Sequence, residues 1–386
     1  MIVVALIFLF FGLPNLINDE ERQVFDRKRR IEYLTGKSIA DQNTDSIKIN
    51  ISSFYKTSSF GELTLGRHHR ALWAAEVKLP IFKGLDTLDF VKIGGGQQTI
   101  SVELKSSSKK RYSFRSVNKD NANALPSFLQ ASIIRPFIRD QASALNPYSG
   151  PVVAELLETL SIQHPKPVLY YLPYNKKTDS TISVLGGEVV ALVEELHKKW
   201  ADDIRFGKPD KILNTDDMLE LEIEGKVKID YQLYIRCRLT DFLLSDWDRH
   251  EKQWKWGLYG EMVRPLPIDR DMAFCKFNDG WASKLVRIFN NKFQSFTTGK
   301  MDIKGLTRNS LSLDITILRD RDQSVFLNEV KYIRRVLNNA EIEKAFRAYP
   351  PEIYQLIGES HIDIFQNRLK QLDTAAVDFF DIIHQD

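Results

Sequence analysis

One stretch concentrates residues that can do chemistry together: Asp241–Phe274, DFLLSDWDRHEKQWKWGLYGEMVRPLPIDRDMAF. It carries Asp246, Asp248, Arg249, His250 and Gln253, and further on Asp269, Arg270 and Asp271. The two acidic clusters flank a segment whose halves, WKWGLY and VRPLPI, put apolar residues at near-alternate positions around Gly257 and Gly260. That pattern predicts a tight β-hairpin. A hairpin returns its ends to one place, so Asp248 and Asp269, 21 residues apart, are expected side by side. Neighbouring carboxylates repel unless positive charge offsets them. The candidates are basic neighbours (Arg249, Arg270 and His250) or a divalent cation such as Mg²⁺ carried on a nucleotide. Any one of these Asp residues is equally an ordinary turn or cap residue; the pairing across a hairpin is the signal.

The order Asp-Arg-His, short strand pair, apolar-Asp resembles the active-site layout of atypical kinases: the HipA-type kinases, the secreted Golgi casein-kinase group and the phosphoinositide kinases. The resemblance implies a catalytic Asp at Asp248, with Arg249 and His250 fixing its loop, and a metal-binding Asp at Asp269, helped by Gln253 or Asp271. Gln253 stands where HipA-type kinases have Asn, and Asp246 where relatives often have Asn. The cofactors so implied are ATP and Mg²⁺.

The elements that must position these residues can be read around them. At 386 residues the chain is long enough for two domains or one two-lobed unit. A net charge of +3 is too small to argue for nucleic acid or an anionic membrane. Two cysteines, Cys237 and Cys275, exclude a disulfide scaffold and a cysteine-based zinc site, and read as buried free thiols. Upstream, WAAEVKLPI (73–81) alternates like a strand, as do 89–93, 99–104 and 111–117. The 89–93 strand runs into Gly94-Gly95-Gly96, so a strand, a glycine-rich turn and a strand are expected. Glycine lets backbone N–H groups approach phosphate oxygens, although a plain hairpin explains three glycines equally well. Arg115 ends the 111–117 alternation and Lys119 lies four residues on; either is a candidate for phosphate charge. A helix over 151–160 opens on Pro151 and carries Glu155, the candidate to pair with that basic residue.

Further helices are expected over 189–200, 229–244, 281–293, 323–337, 341–348 and, as one long amphipathic element, 359–383, with 219–226 a charged connection. The 229–244 helix delivers the DWDRH cluster at its C-terminus, where the helix dipole disfavours carboxylates. The first residues, MIVVALIFLFFGL, form an apolar run of 13. That is short of the roughly 20 needed to span a bilayer. The run resembles the apolar region of a signal peptide but has no basic residue before it and no small-residue cleavage site after it. A weak membrane anchor, the remnant of a longer segment, a mis-set start and a core helix all stay open.

From residue 55 onward the chain resembles an uncharacterised Bacteroidetes-type envelope module found beside calcineurin-like phosphoesterase and BamA-like surface-antigen domains. RHHRALWAAEVKLPI, GGGQQT, YSFRSVNKD, DWDRHEKQWKWG, PLPIDRDMAF and IEKAFRAYPPEIY carry that resemblance. It implies a cell-envelope, membrane-associated location and an envelope barrel or phosphoesterase as partner. The expected fold is α+β and two-lobed, protein-kinase-like. Residues 1–44 form an apolar segment and charged linker, 45–180 a β-rich N-lobe and 181–386 a helical C-lobe carrying the acidic site. The expected function is ATP/Mg²⁺-dependent transfer of phosphate to a hydroxyl acceptor, with nucleotide bound between the glycine-rich hairpin and the larger lobe. The alternatives are a catalytically inactive kinase-like interaction module and a metal-dependent phosphohydrolase using Asp246, Asp248, His250, Asp269 and Asp271.

Overall fold

The computed structural model describes residues 45–95, 99–121, 126, 134–174 and 182–385. The 1–44 segment and Gly96 lie outside them. The architecture is α+β, with a sheet-rich region and a mostly helical C-terminal part. The chain divides into two compact units, each discontinuous in sequence. The first comprises the described residues up to Pro147 with Pro167–Glu194 and Lys276–Leu285; the second comprises Tyr148–Lys166, Glu195–Cys275 and the residues from Val286 on. The expected boundary at 180 is replaced by this interleaving. Among the described residues, no helix is long and apolar enough to cross a membrane.

In the first unit, β1 (Ser46–Ile49) pairs antiparallel with β2 (Val77–Pro80). Five more strands form an antiparallel sheet in the order β3-β4-β5-β7-β6: β3 Leu88–Gly94, β4 Ser101–Ser106, β5 Arg111–Ser116, β6 Val168–Leu172 and β7 Glu188–Glu194. One face of the sheet buries Val102, Leu104, Phe114, Leu172, Leu185 and Val190. Burying an apolar side chain of this size contributes about 1.5–3 kcal/mol. Two sequence expectations fail here. The helix expected over 189–200 is β7 followed by a 3₁₀ turn, Lys198–Asp202. β7 is hydrogen-bonded on both sides, to β5 and β6, and its run EVVALVE shows no alternation to distinguish it from helix. The strand expected from Trp73 begins instead as a helix, Arg70–Ala74. Its Arg70 is buried in a two-pronged pair with Asp140, at 2.7 and 2.5 Å.

The glycine turn after β3 separates two roles. Gly95 has φ +120°, and a Cβ there would lie 2.1 Å from the Thr99 carbonyl oxygen, so the fold itself requires glycine. A Cβ on Gly94 would meet nothing within 4 Å. Gly95→Ala is therefore expected to lower the unfolding midpoint, whereas Gly94→Ala should leave it unchanged. Any loss of nucleotide affinity in Gly94→Ala, read by calorimetric titration, would then belong to binding and not to folding.

His68 is buried in the same unit. Its Nδ1 lies 2.8 Å from Ser143 Oγ and its Nε2 2.9 Å from Ser283 Oγ, and the Ser283 hydroxyl donates to Gln141 Oε1. Burial pushes its pKa down to about 3, and burial likewise lowers His164 of the second unit to about 4. Both histidines are held neutral, while the unfolded chain gains protons near pH 6.5. Their contribution is complete above that value and is lost as the pH falls towards 4 and 3. At about pH 5 each should have cost about 2 kcal/mol of stability. Urea unfolding of the wild type and of His68→Gln at neutral and acid pH checks this; the variant should show the smaller acid loss.

The second unit holds the hairpin. β10 (Trp254–Tyr259) and β11 (Met262–Pro267) pair in antiparallel register from Trp254↔Pro267 to Tyr259↔Met262. β8 (Lys211–Leu213) flanks β10, and β9 (Lys228–Ile229) flanks β11. Gly260, at φ +62°, makes the turn. Trp254 and Trp256 are buried against Tyr234 of the helix Tyr231–Leu244. Asp230 caps that helix, its side chain accepting the Leu233 N–H at 3.0 Å. The expected connection over 219–226 is mostly helix, Thr215–Ile223. Helices Ile303–Thr307 and Leu311–Leu318, not anticipated, precede Gln323–Val336 and Asn339–Phe346. The single helix expected over 359–383 is two, Glu359–Lys370 and Leu372–His384, broken at Gln371.

Candidate active site

The helix Tyr231–Leu244 ends on Ser245 in the left-handed conformation (φ 58°, ψ 31°). The Asp246 N–H then reaches back to the Asp241 carbonyl at 2.9 Å, which closes the last turn. Two more of the helix's end carbonyls are taken by Arg368. Its Nε donates to Leu243 O at 3.0 Å and its Nη2 to Phe242 O at 2.5 Å. A buried guanidinium at the negative end of a helix offsets the dipole that disfavours acids there. This relieves the cost of placing DWDRH at that end.

Beneath the loop lies a closed set of buried charges. Asp241 accepts from Arg238 Nη1 at 2.5 Å and from Arg270 Nη1. Arg238 also reaches Asp314 at 3.0 Å and Ser310 at 2.7 Å, and Tyr234 donates to Asp314 at 2.7 Å. Arg249, fully buried, stitches the two acidic segments together. It donates to the carbonyls of Gln253 at 3.0 Å, of Ile268 at 2.8 Å and of Asp269. The Ile268 N–H returns to the Gln253 carbonyl at 3.0 Å. The hairpin and the Arg249 fork therefore bring the backbones of the two segments together.

Three carboxylates surround this frame. Asp246 is buried, and its Oδ2 lies 3.5 Å from Arg249 Nε and 4.0 Å from Arg270 Nη1. Burial pushes its pKa up to about 7, against the pull of Arg249. Asp248 is partly exposed and its Oδ1 accepts from Asn309 Nδ2 at 2.8 Å. Burial raises Asp248, and the negative charge of Asp271 raises it further. Of the second cluster, Asp271 is the carboxylate whose charge acts on both Asp248 and Asp246. Asp269 sits at φ 54°, a conformation that Asp tolerates better than most residues, and contributes its carbonyl to Arg249.

The other expected residues fall as follows. The Nδ1 of His250 accepts the Lys252 N–H at 3.2 Å, opening the 3₁₀ turn Glu251–Gln253. Gln253 enters the network through its backbone carbonyl. Arg115 lies on β5 and Lys119 just beyond it, in the first unit, and both already interact with other groups of the protein. Glu155 lies in the second unit, on the helix Ser149–Thr159. There it lines a shallow depression with Glu158, Lys166, Asn338, Glu341 and Lys344. Cys237 and Cys275 are free and buried, and burial pushes both thiols up to about 12. Among the described residues, no group of three or more His, Cys, Asp or Glu is placed to hold a metal alone. Mg²⁺ takes one or two protein carboxylates and completes its shell with water and phosphate oxygens, a number that Asp271 and Asp269 would supply.

Sequence reasoning missed Asn309, which holds Asp248, and Ser310, Asp314 and Arg368, which hold the helix Tyr231–Leu244, all from far along the chain. Asp241, Arg238 and the hydroxyl of Tyr234 carried a faint signal, as polar groups inside a largely apolar helix.

No protein-family model matches the chain, and no curated protein matches it. Solved structures that match include the crystal structure of a Helicobacter pylori proinflammatory kinase, CtkA. It is 14% identical, with a TM-score of 0.41, and the match covers 78% of this chain and 99% of that one.

Proposed function

We propose that the chain is a phosphotransferase that moves the γ-phosphoryl group of ATP, as its Mg²⁺ complex, to a hydroxyl acceptor. The observation that carries this reading is the Arg249 fork, which holds the segment of Asp248 against that of Asp269 and Asp271, so that the charge of Asp271 acts on Asp248. Asp248 is the partly exposed member, oriented by Asn309 and held above the usual carboxylate range by burial and by Asp271. Such a carboxylate is poised to accept a proton. In the step, the acceptor oxygen forms a bond to the γ-phosphorus and gives its proton to Asp248. The bond from that phosphorus to the β–γ bridging oxygen breaks, and ADP leaves with the electron pair. Mg²⁺, when bound, neutralises charge on the phosphate oxygens. Asp271 and Asp269 are its proposed protein ligands.

The test is a thermal-shift titration of the full chain with ATP, with and without Mg²⁺. Ligand at a hundred times Kd stabilises the fold by about 2.7 kcal/mol. The expected shift requires Mg²⁺ and is lost in Asp271→Asn. No shift at millimolar nucleotide, or an equal shift in Asp271→Asn, would overturn the assignment.

A further inference from the structure

The helix Trp281–Phe289, WASKLVRIF, is turned inside out. Its small residues face the protein: Ala282 and Ser283 are 1% exposed. Ser283 is locked there by His68 Nε2 at 2.9 Å and by Gln141 Oε1 at 3.1 Å. Gly280, one residue upstream, fixes the entry. It sits at φ +75°, and a Cβ there would lie 2.3 Å from the Gly66 nitrogen, so the two backbones touch. The large apolar residues face out: Trp281 is 69% exposed, Leu285 45%, Ile288 78% and Phe289 80%. Their spacing of four, three and one puts them on a single face. A surface helix ordinarily does the reverse, and a continuous exposed apolar face marks an interaction site.

The charges around this face narrow the partner. Lys284 and Arg287 border it on one side, Lys292 and Lys300 follow, and no Asp or Glu occurs from Trp281 to Met301. Lys300 is paired with Asp378 at 3.6 Å. The helix Ser59–Leu65 ends at Gly66, against Gly280, and adds exposed Phe60 (51%) and Leu63 (60%). Its one acid, Glu62, is paired with Arg67 at 3.3 Å. Trp, Phe, Leu and Ile on one face with Lys and Arg beside them is the composition of a helix that lies in the plane of a lipid interface. With Glu62 paired to Arg67 and Asp279 to Lys276, the border is left positive by Lys284, Arg287 and Lys292, which complements anionic headgroups. We infer that this face docks the protein on an anionic lipid bilayer.

Trp281 supplies a direct reporter. Of the six tryptophans, the other five are buried. The experiment uses the full chain with vesicles of phosphatidylcholine alone or mixed with phosphatidylglycerol. The wild type should co-sediment with the anionic vesicles at low salt, and its fluorescence should become shielded from acrylamide. Trp281→Ser/Ile288→Ser/Phe289→Ser should abolish the difference between the two vesicle types. Lys284→Gln/Arg287→Gln should weaken anionic binding roughly thirtyfold and leave the Trp281 reporter intact. The side chains of Trp281, Ile288 and Phe289 are exposed, so the thermal midpoint of the triple variant should be unchanged. The apolar residues 2–13 are present in every variant, so binding through them is common to all. Equal partitioning of the wild type and the triple variant overturns the inference. So does a triple variant that turns a dimer into a monomer by light scattering while vesicle binding stays the same, since the face then seats a second copy.

Discussion

Replacing Asp248 with Asn lowers phosphoryl transfer by about a thousandfold and leaves Mg²⁺–ATP affinity within about threefold of the wild type. The expectation follows from what the substitution keeps and removes. Asn retains the size of Asp248 and an oxygen for the Asn309 amide, which now donates at 2.8 Å. It removes the basic oxygen proposed to take the acceptor's proton. Loss of a positioned general base costs between a hundredfold and ten-thousandfold. Single-turnover phosphate transfer, set beside a nucleotide titration, separates the two effects. If affinity and turnover fall together, Asp248 belongs to the metal or to the fold of the loop. If turnover is unaffected, the proton has another acceptor. Asp271→Asn is the complementary variant and should lose affinity first.

Replacing Asp241 with Asn destabilises the protein by about 3–5 kcal/mol, the range for removing one partner of a buried ion pair. Asp241 is wholly buried and faces three guanidiniums: Arg238 at 2.5 Å, Arg249 at 3.8 Å and Arg270 in direct contact. Without its charge, three buried cations share Asp246 and Asp314. Burial has already pushed Asp246 up to about 7 and raised Asp314, so neither is an eager replacement. The urea midpoint reads the loss directly. A change of less than about 1 kcal/mol would mean that the arginines find other partners or water, and that the frame is looser than its geometry. Arg270→Met in the Asp241→Asn background should recover part of the loss, because it removes one of the stranded charges.

The hairpin and its two acidic ends were legible because their signals are local. Alternation in WKWGLY and the glycine at the turn set the strand pair, and the pair sets what its ends bring together. The same logic located β3, β4 and β5, which share a half-buried face. It failed at β7, whose run EVVALVE is apolar on both faces, so neither strand nor helix period appears. It failed again at Gln371, where two amphipathic stretches are continuous in sequence but the helix breaks. Within the site, residue types were readable and orientations were not. Whether Asp269 or Asp271 acts on Asp248 depends on a loop that passes through positive φ at Asp269 and again at Phe274. Asn309 is 61 residues from Asp248, and Arg368 is 125 and 126 from the carbonyls of Leu243 and Phe242; nothing in TRNSL or QNRLK announces such a partnership.

Every cation in the frame beneath the acidic loop is an arginine: Arg238, Arg249, Arg270 and, at the helix end, Arg368. A guanidinium keeps its proton across the range in which proteins work. Even Arg368, which burial lowers to about 10, stays charged well past neutrality. The cations of the scaffold are therefore blind to protons, while the carboxylates Asp246 and Asp248, both raised by burial, are sensitive to them. A change in the acidity of the medium alters what the loop can do without altering its shape. Exchanging any of these arginines for lysine would surrender the fork that spans two or three carbonyls at once.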